Sequence, residues 1–373
     1  MSSETTFKVP LTKILELSPH SNADRLELAR VYGFQVIVPK GVYKPGDDVI
    51  YVPIDSILPK DLEEALFPPD AKIKLHNHRV RQIRIRGLAS QGMLINPAEI
   101  GVTFKRTEVD LREQLNIIKY EPPARPGGIP GAPGQKKVKR DNPNFHKYNG
   151  VDNIKWFPNF FKEDEEVVIQ EKLHGTNCRA GILPYVPRTL WQRIKKWFGL
   201  APPYENVYGS NNVEISSKHN WNGGWYSEDI YGATLKRWDV FYTLKRGEVV
   251  YGEIVGPKIQ KNYEYGLDEL HFVLFDVKVL QADGKLEYLN PEEVEIFAKA
   301  RGFEMVPVLY RGKFTQEVAY KLSRGASVYA PVQKVREGVV IKSRFGYDGS
   351  GSKRALKYIN EDYLDKADNT DYH

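Results

Sequence analysis

The chain has 373 residues, 41% hydrophobic and 12% aromatic, enough to build cores for two domains. Its formal charge of +6, from 54 basic and 48 acidic residues, favours a polyanionic partner without requiring one. A single cysteine, Cys178, excludes an intrachain disulfide, no Cys/His spacing suits zinc, and no apolar run approaches the ~18 residues of a membrane span.

The opening Met-Ser-Ser-Glu-Thr-Thr shows no secretory pattern, so a cytoplasmic protein with no membrane partner is expected. Cys178 is read as a small buried residue rather than a catalytic thiol.

Residues 7–120 read as short strands and turns. One strand is expected over 31–38, a turn over 41–48, a second strand over 49–53 and a short helix over 61–66. In 79–86, Ile83 and Ile85 point one way and Gln82, Arg84 and Arg86 the other. Either that basic face is merely solvated, or Arg84 and Arg86 touch RNA phosphates. Many short strands joined by Gly/Pro turns suggest a small β-barrel of the oligonucleotide-binding (OB) kind. Residues 121–135 hold five prolines and four glycines and read as a linker, which ends in the basic run 136–140. From 142 the pattern is mixed α/β. An amphipathic helix over 188–198 is expected to pack on its own domain rather than meet RNA or a partner. Asn290-Pro291 starts a helix that Gly302 stops, and a second helix runs from Thr315 to Arg324. Strands are expected over 249–254, 271–279 and 339–343.

Within this domain, Glu171-Lys-Leu-His-Gly-Thr-Asn177 follows the apolar run 167–169. That layout puts Lys172 at a strand end, with Gly175 letting the backbone turn close to a ligand. A lysine amine with its usual pKa is neutral in only about one molecule in a few thousand at pH 7, so its surroundings must free it before it can attack. Four further segments follow: Tyr251-Gly-Glu253, Phe275-Asp-Val277, Glu337-Gly-Val-Val-Ile-Lys342 and Leu356-Lys-Tyr358. Adenylyl transfer needs such parts: a neutral amine, lysines to offset phosphate charge, carboxylates to hold a hydrated divalent cation and an aromatic face for the base. Lys172, Lys342, Lys357, Glu253, Glu337 and Phe275 could supply them.

In this order the five segments resemble the motif series of the covalent nucleotidyltransferases, which comprise RNA ligases, DNA ligases and mRNA capping enzymes. The His174-Gly-Thr-Asn177 wording and the stretch 251–261 resemble the RNA ligase 2 type. A barrel-like module ahead of the motifs resembles the RNA ligase 5 group. The resemblance implies an α+β chain: an OB-like barrel over 1–120, a basic linker over 121–141 and an ATP-grasp-like adenylyltransferase domain with antiparallel sheets over 142–373. It implies that Lys172 becomes AMP-linked and that Phe275 stacks on adenine. Glu253 would contact the ribose or join Glu337 in holding Mg²⁺ or Mn²⁺ through water, and Lys342 and Lys357 would contact the α-phosphate. Glu171, His174, Gly175 and Asn177 would line the ATP site. Three positions depart from the family: His174 stands where many ligases have Asp, Lys218 stands for a ribose-contacting arginine, and no second lysine follows two residues after Lys357.

The implied activity is ATP-dependent joining of RNA 3′-OH and 5′-phosphate ends in RNA repair, by a monomer acting on nicked duplexes. A DNA ligase or GTP-dependent capping enzyme is an alternative. Only 16 residues follow Lys357, too few for the OB fold those enzymes place there. A non-enzymatic RNA-binding protein is the remaining alternative.

Overall fold

A computed structural model describes residues 7–67, 74–100, 109–120, 142–211, 213–215, 229–260, 263–347, 353–366 and 369–371. The chain forms two compact units, one drawn from within 123–151 and 163–356, the other from within 5–122, 152–162 and 357–373.

The first unit carries two antiparallel sheets. The four-stranded sheet runs Val308–Lys313, Glu166–Lys172, Gly338–Tyr347, Lys353–Ile359. The chain passes into the other unit after Leu356. The β-branched runs of 167–169 and 339–341 pair here, with Lys172 opposite Gly338 and Val168 opposite Lys342. Side chains alternate along a strand and paired residues share a face, so Gln170, Lys172 and Lys342 all point to one side. The six-stranded sheet runs Glu214–Ile215, Tyr204–Ser210, Thr176–Pro184, Glu248–Val255, His271–Leu280, Leu286–Tyr288. One face is apolar: Cys178, Ala180, Val250, Ile254, Phe272, Leu274 and Val277 pack against the helices Ile230–Arg237 and Pro291–Arg301. The residues between them, Asn177, Arg179, Tyr251 and Glu253, therefore point to the opposite face.

Both helices predicted near residues 290 and 315 form. Asn290 closes a capping box with Glu293 ahead of Pro291–Arg301, and Gly302 ends that helix with φ 72°. Thr315 accepts from the Val318 N–H at the start of Gln316–Ser323. The helix Lys60–Leu66 also matches its expected position.

The second unit is built from short antiparallel strands. Leu11–Lys13, Asp48–Val52 and Met93–Ile95 form one sheet, and Glu16–Pro19, Leu26–Val31 and Phe34–Pro39 another. The hairpin Gln82–Ile85 with Leu88–Gln91 and the long-range pair Ser56–Ile57 with Ile118–Lys119 complete it. Two sequence expectations fail in this unit. The strand over 31–38 is broken by a turn at Tyr32-Gly33, where Tyr32 has φ 50° and a Cβ on Gly33 would lie 2.9 Å from the Lys155 backbone. The two faces of 82–85 do not separate by polarity: Gln82 is buried and Ile83 is 44% exposed, while Arg84, on the Gln82 side, is exposed. The Gln82 amide donates to the Glu361 carbonyl and the Asp365 carboxylate, 2.7 Å each, so this one polar side chain is buried with its donors satisfied.

Candidate active site

Lys172 ends its strand with the ammonium 2.6 Å from Oε1 of Glu337, a carboxylate that is almost completely buried. His174 Nδ1 lies 3.5 Å from the other Glu337 oxygen. The His174 ring is fixed from two sides: its backbone N–H donates to Tyr265 Oη at 2.7 Å, and the Tyr263 ring meets it edge-on at 4.8 Å. Glu253 stands opposite Asn177 across the neighbouring sheet. Burial pushes the Glu253 carboxyl up to about 8; Glu337 raises it further, while Lys172 and the Gly175 N–H oppose the rise. The influence of Lys172 and Glu337 on Glu253 places all three in one electrostatic cluster.

Gly175 makes that cluster possible. A Cβ there would lie 2.3 Å from the Ile254 carbonyl oxygen and 2.7 Å from Glu253 Cγ. Gly175→Ala is therefore expected to push Glu253 aside and to slow any reaction at the Lys172 amine about 100-fold, since misplacement near 1 Å costs that much. The overpacking should cost about 1–3 kcal/mol, read by thermal melting. A wild-type rate in this variant would show that Glu253 tolerates displacement.

A second cluster lies further along the Lys172 face. Lys342 Nζ donates to the Phe275 carbonyl at 2.7 Å and to Asp276 Oδ1 at 3.1 Å. Lys353 Nζ donates to Asp276 Oδ2 and Tyr148 Oη, and Tyr148 Oη also donates to Asp276 at 2.7 Å. A β-bulge builds this arrangement. Tyr251 pairs with Asp276 but Gly252 pairs with Leu274, which leaves Phe275 as the extra residue. Phe272, Leu274 and Val277 stay on the apolar core, while Phe275 and Asp276 both turn to the other face. Phe275 meets the Tyr148 ring edge-on at 4.9 Å. Burial pushes Lys353 down to about 7, with Lys342 adding to the effect and Asp276 opposing it. Burial would raise Asp276, but Lys342 and Lys353 outweigh it and hold the carboxyl below its usual range.

The structure brings together Lys172, His174, Gly175, Glu253 and Glu337, and separately Phe275 and Lys342. Asn177 Oδ1 is buried beside Glu253 with no partner in the protein. Glu171 points away from the Lys172 face, and its Oε2 accepts from the Val328 and Tyr329 N–H groups at 2.7 and 3.2 Å, while its Oε1 has no protein partner. Lys357 belongs to the other unit, where it is buried and donates to the Asp371 carbonyl. Lys218 lies outside the described residues. Arg84 is engaged by Asp365 at 2.7 Å and Asp362 at 2.8 Å, so a phosphate would have to compete with two carboxylates. Arg86 is exposed in the turn after its strand, with φ 50°. Cys178 is fully buried, and burial raises its thiol, as suits an inert residue.

Sequence reasoning gave no role to Tyr148, Asp276 or Lys353. Lys353 could have been found, since it lies four residues before Lys357 and on the same face of the same strand.

The RNA ligase family model matches residues 165–359, more than half of the chain, and an OB-fold domain model matches residues 8–97. Among solved structures, the chain is similar to Naegleria gruberi RNA ligase, in a lysine-to-alanine mutant with ATP and Mn. The TM-score is 0.73 at 21% identity, covering 98% of this chain and 100% of that one. The same enzyme with PPi gives a TM-score of 0.71 at 21% identity, covering 97% and 99%. A glutamate-to-alanine mutant with AMP and Mn gives 0.72 at 21% identity, covering 97% and 100%. At this identity the likeness shows the fold: an α+β chain with an N-terminal OB domain and a ligase nucleotidyltransferase domain. The matched segment runs from the strand that carries Lys172 to the strand that carries Lys353, and on that ground the chain belongs to the RNA ligase family.

Proposed function

We propose that the chain is an ATP-dependent RNA ligase that joins 3′-OH and 5′-phosphate ends through a lysyl-AMP on Lys172. The observation that carries this reading is the Lys172 amine at a strand end, held by a buried carboxylate, with two further lysines along the same face. The Lys172 nitrogen attacks the α-phosphorus of ATP, the bond to the bridging oxygen breaks, and pyrophosphate leaves. The RNA 5′-phosphate then takes the AMP from Lys172. The RNA 3′-OH finally attacks that 5′-phosphorus, forms the phosphodiester and expels AMP. Lys342 and Lys353 are assigned to the phosphates, Lys353 in the place first expected for Lys357. Phe275, turned out by the bulge, offers its face to adenine, and Asn177 offers an unpartnered acceptor beside Glu253.

Among the described residues, no group of three carboxylate, His or Cys side chains could hold a metal directly. Two neighbouring carboxylates, Glu253 and Glu337, fit a divalent cation held largely through its own water. Such a cation would offset charge developing on the phosphates. Glu337 could not serve a cation and the Lys172 ammonium equally, so a bound cation would compete with the amine for this carboxylate. The Naegleria ligase structures that contain ATP or AMP with Mn support this reading. Nicked RNA duplexes as substrate, a role in RNA repair, a monomeric state and a cytoplasmic location belong to the same proposal.

Incubation with α-labelled ATP and Mg²⁺, followed by denaturing electrophoresis, tests it. Label stable to base and labile to acid is expected from ATP and not from GTP. A chase with nicked duplexes bearing RNA or DNA 3′-OH ends identifies the acceptor. No label after pyrophosphatase treatment, or label from GTP alone, would overturn the proposal.

The two titrating groups make a further prediction. Lys353 is cationic below about 7 and Glu253 anionic above about 8. At a pH between these values, pyrophosphate should draw a proton onto Lys353, whereas Mn²⁺ should release one from Glu253. Calorimetry in buffers of different ionisation enthalpy reads both signs. Proton uptake with pyrophosphate should vanish in Lys353→Met, and proton release with Mn²⁺ in Glu253→Gln.

A further inference from the structure

The helix Leu190–Trp197, between the strands Thr176–Pro184 and Tyr204–Ser210, does not bury its apolar face. Leu190 is 73% exposed, Trp191 64%, Trp197 83%, and beyond the helix Phe198 is 65% and Leu200 75% exposed. The expectation that this helix packs on its own domain is therefore overturned. At about 100° per residue, Leu190, Trp191, Ile194, Trp197 and Phe198 occupy one arc of about 120°. Arg193 and Lys195 fall just outside that arc, one on each border, and Lys196 lies behind. No acidic residue occurs from 184 to 204.

The element is preformed. Thr189 and Gln192 make a reciprocal capping box at its start. Arg188 anchors its base through Glu205 and Glu214, 2.6 Å each, and Lys196 donates to the Tyr185 carbonyl at 2.9 Å. A rigid helix with a bare apolar face needs no ordering when it meets a partner.

We propose that this helix docks peripherally on an anionic lipid surface, with its apolar arc in the headgroup boundary. Three observations favour lipid. Leu190, Ile194 and Leu200, which offer no ring to a base, are interleaved with Trp191, Trp197 and Phe198, an aliphatic share that suits lipid better than a stacking platform. The strand Thr176–Pro184 carries the helix roughly 30 Å from the Gly175 turn, away from the reacting ends. Cations on both borders of a convex arc of Trp, Phe and Leu match the charge and depth profile of an anionic membrane interface. A surface helix needs no membrane span, so the absence of an apolar run long enough to cross does not bear on it. The proposal is independent of the ligase reading.

Sedimentation of the full chain with vesicles tests it, using phosphatidylcholine alone and with about 30% phosphatidylserine. The wild type is expected to pellet with the anionic vesicles, to stay soluble with the neutral ones and to be released by high salt. Trp191→Ser with Trp197→Ser, and separately Arg193→Glu with Lys195→Glu, should each weaken binding about tenfold or more. All of these side chains are on the surface, so the far-ultraviolet circular dichroism and lysyl-AMP formation should not change. Equal binding by wild type and variants, or no binding, would overturn the proposal. So would a wild-type dimer that the tryptophan variant disrupts, which would assign the face to a second copy. Loss of RNA affinity without any vesicle binding would assign it to RNA.

Discussion

Lys172→Ala should reduce lysyl-AMP formation to background, a loss of at least about 10⁴-fold, because in the proposed reaction this amine is the nucleophile and neither Lys342 nor Lys353 can take its place. Lys342 and Lys353 are tied to Asp276 in a separate cluster. In the proposed sequence the final sealing step does not use Lys172 as nucleophile. RNA supplied with its 5′ end already adenylylated should therefore still be joined, within about tenfold of the wild-type rate. The substitution also leaves Glu337 without its ammonium. That carboxylate is 1% exposed, and the His174 ring, 3.5 Å from its other oxygen, does not replace the lost partner. Breaking a buried pair costs about 3–5 kcal/mol, so the variant should melt earlier than wild type, and Mg²⁺ should restore part of the loss by binding the freed carboxylate. Labelling of Lys172→Ala at the wild-type rate would remove the nucleophile assignment. Loss of label together with loss of sealing of the adenylylated RNA would mean that the variant had failed more generally.

What could be read from the sequence was local chemistry. Asn290-Pro291 and Thr315 announce helix starts because the side chain and backbone that make each cap lie within three residues. The strand end at Lys172 follows from a β-branched run that stops at polar residues. Choices settled by distant partners were not legible. Alternation divides 82–85 into two faces, but the burial of Gln82 is decided by Glu361 and Asp365, nearly three hundred residues later. The helical period of 190–197 marks an apolar face but cannot say that nothing covers it. Asp276 was hidden because strict alternation would have placed it on the same side as Leu274. The bulge at Phe275 reverses that parity, and no residue in Phe275-Asp276-Val277 signals it. Lys353 and Lys357 share one strand face, so the sequence offers both, and the point at which the strand leaves its sheet separates their surroundings. The signal at Tyr32-Gly33 was present, since a glycine inside a strand pattern suggests a turn or a close approach. It was outweighed by the apolar residues on either side.

The Asp276 cluster carries the second large effect. Asp276→Ala removes the one carboxylate shared by Lys342, Lys353 and Tyr148, and leaves two buried ammonium groups with only carbonyl and hydroxyl partners. A loss of about 3–5 kcal/mol is expected in denaturant unfolding. Asp276 also holds the Lys353 proton against burial, so its removal should drive Lys353 further below about 7 and leave it neutral under assay conditions. With one phosphate-facing charge gone and the other mispositioned, adenylylation should fall about 10²- to 10³-fold. Instability alone could produce part of that fall, and Lys353→Met separates the two causes. It removes a desolvated amine but keeps the Asp276–Lys342 pair, so its stability should stay within about 1 kcal/mol of wild type. If Lys353 meets the phosphates, adenylylation in this variant still drops about 100-fold and loses its dependence on a group titrating near 7. If Lys353→Met keeps the wild-type rate while Lys357→Met loses it, the phosphate contact belongs to Lys357, and the cluster around Asp276 is a structural support.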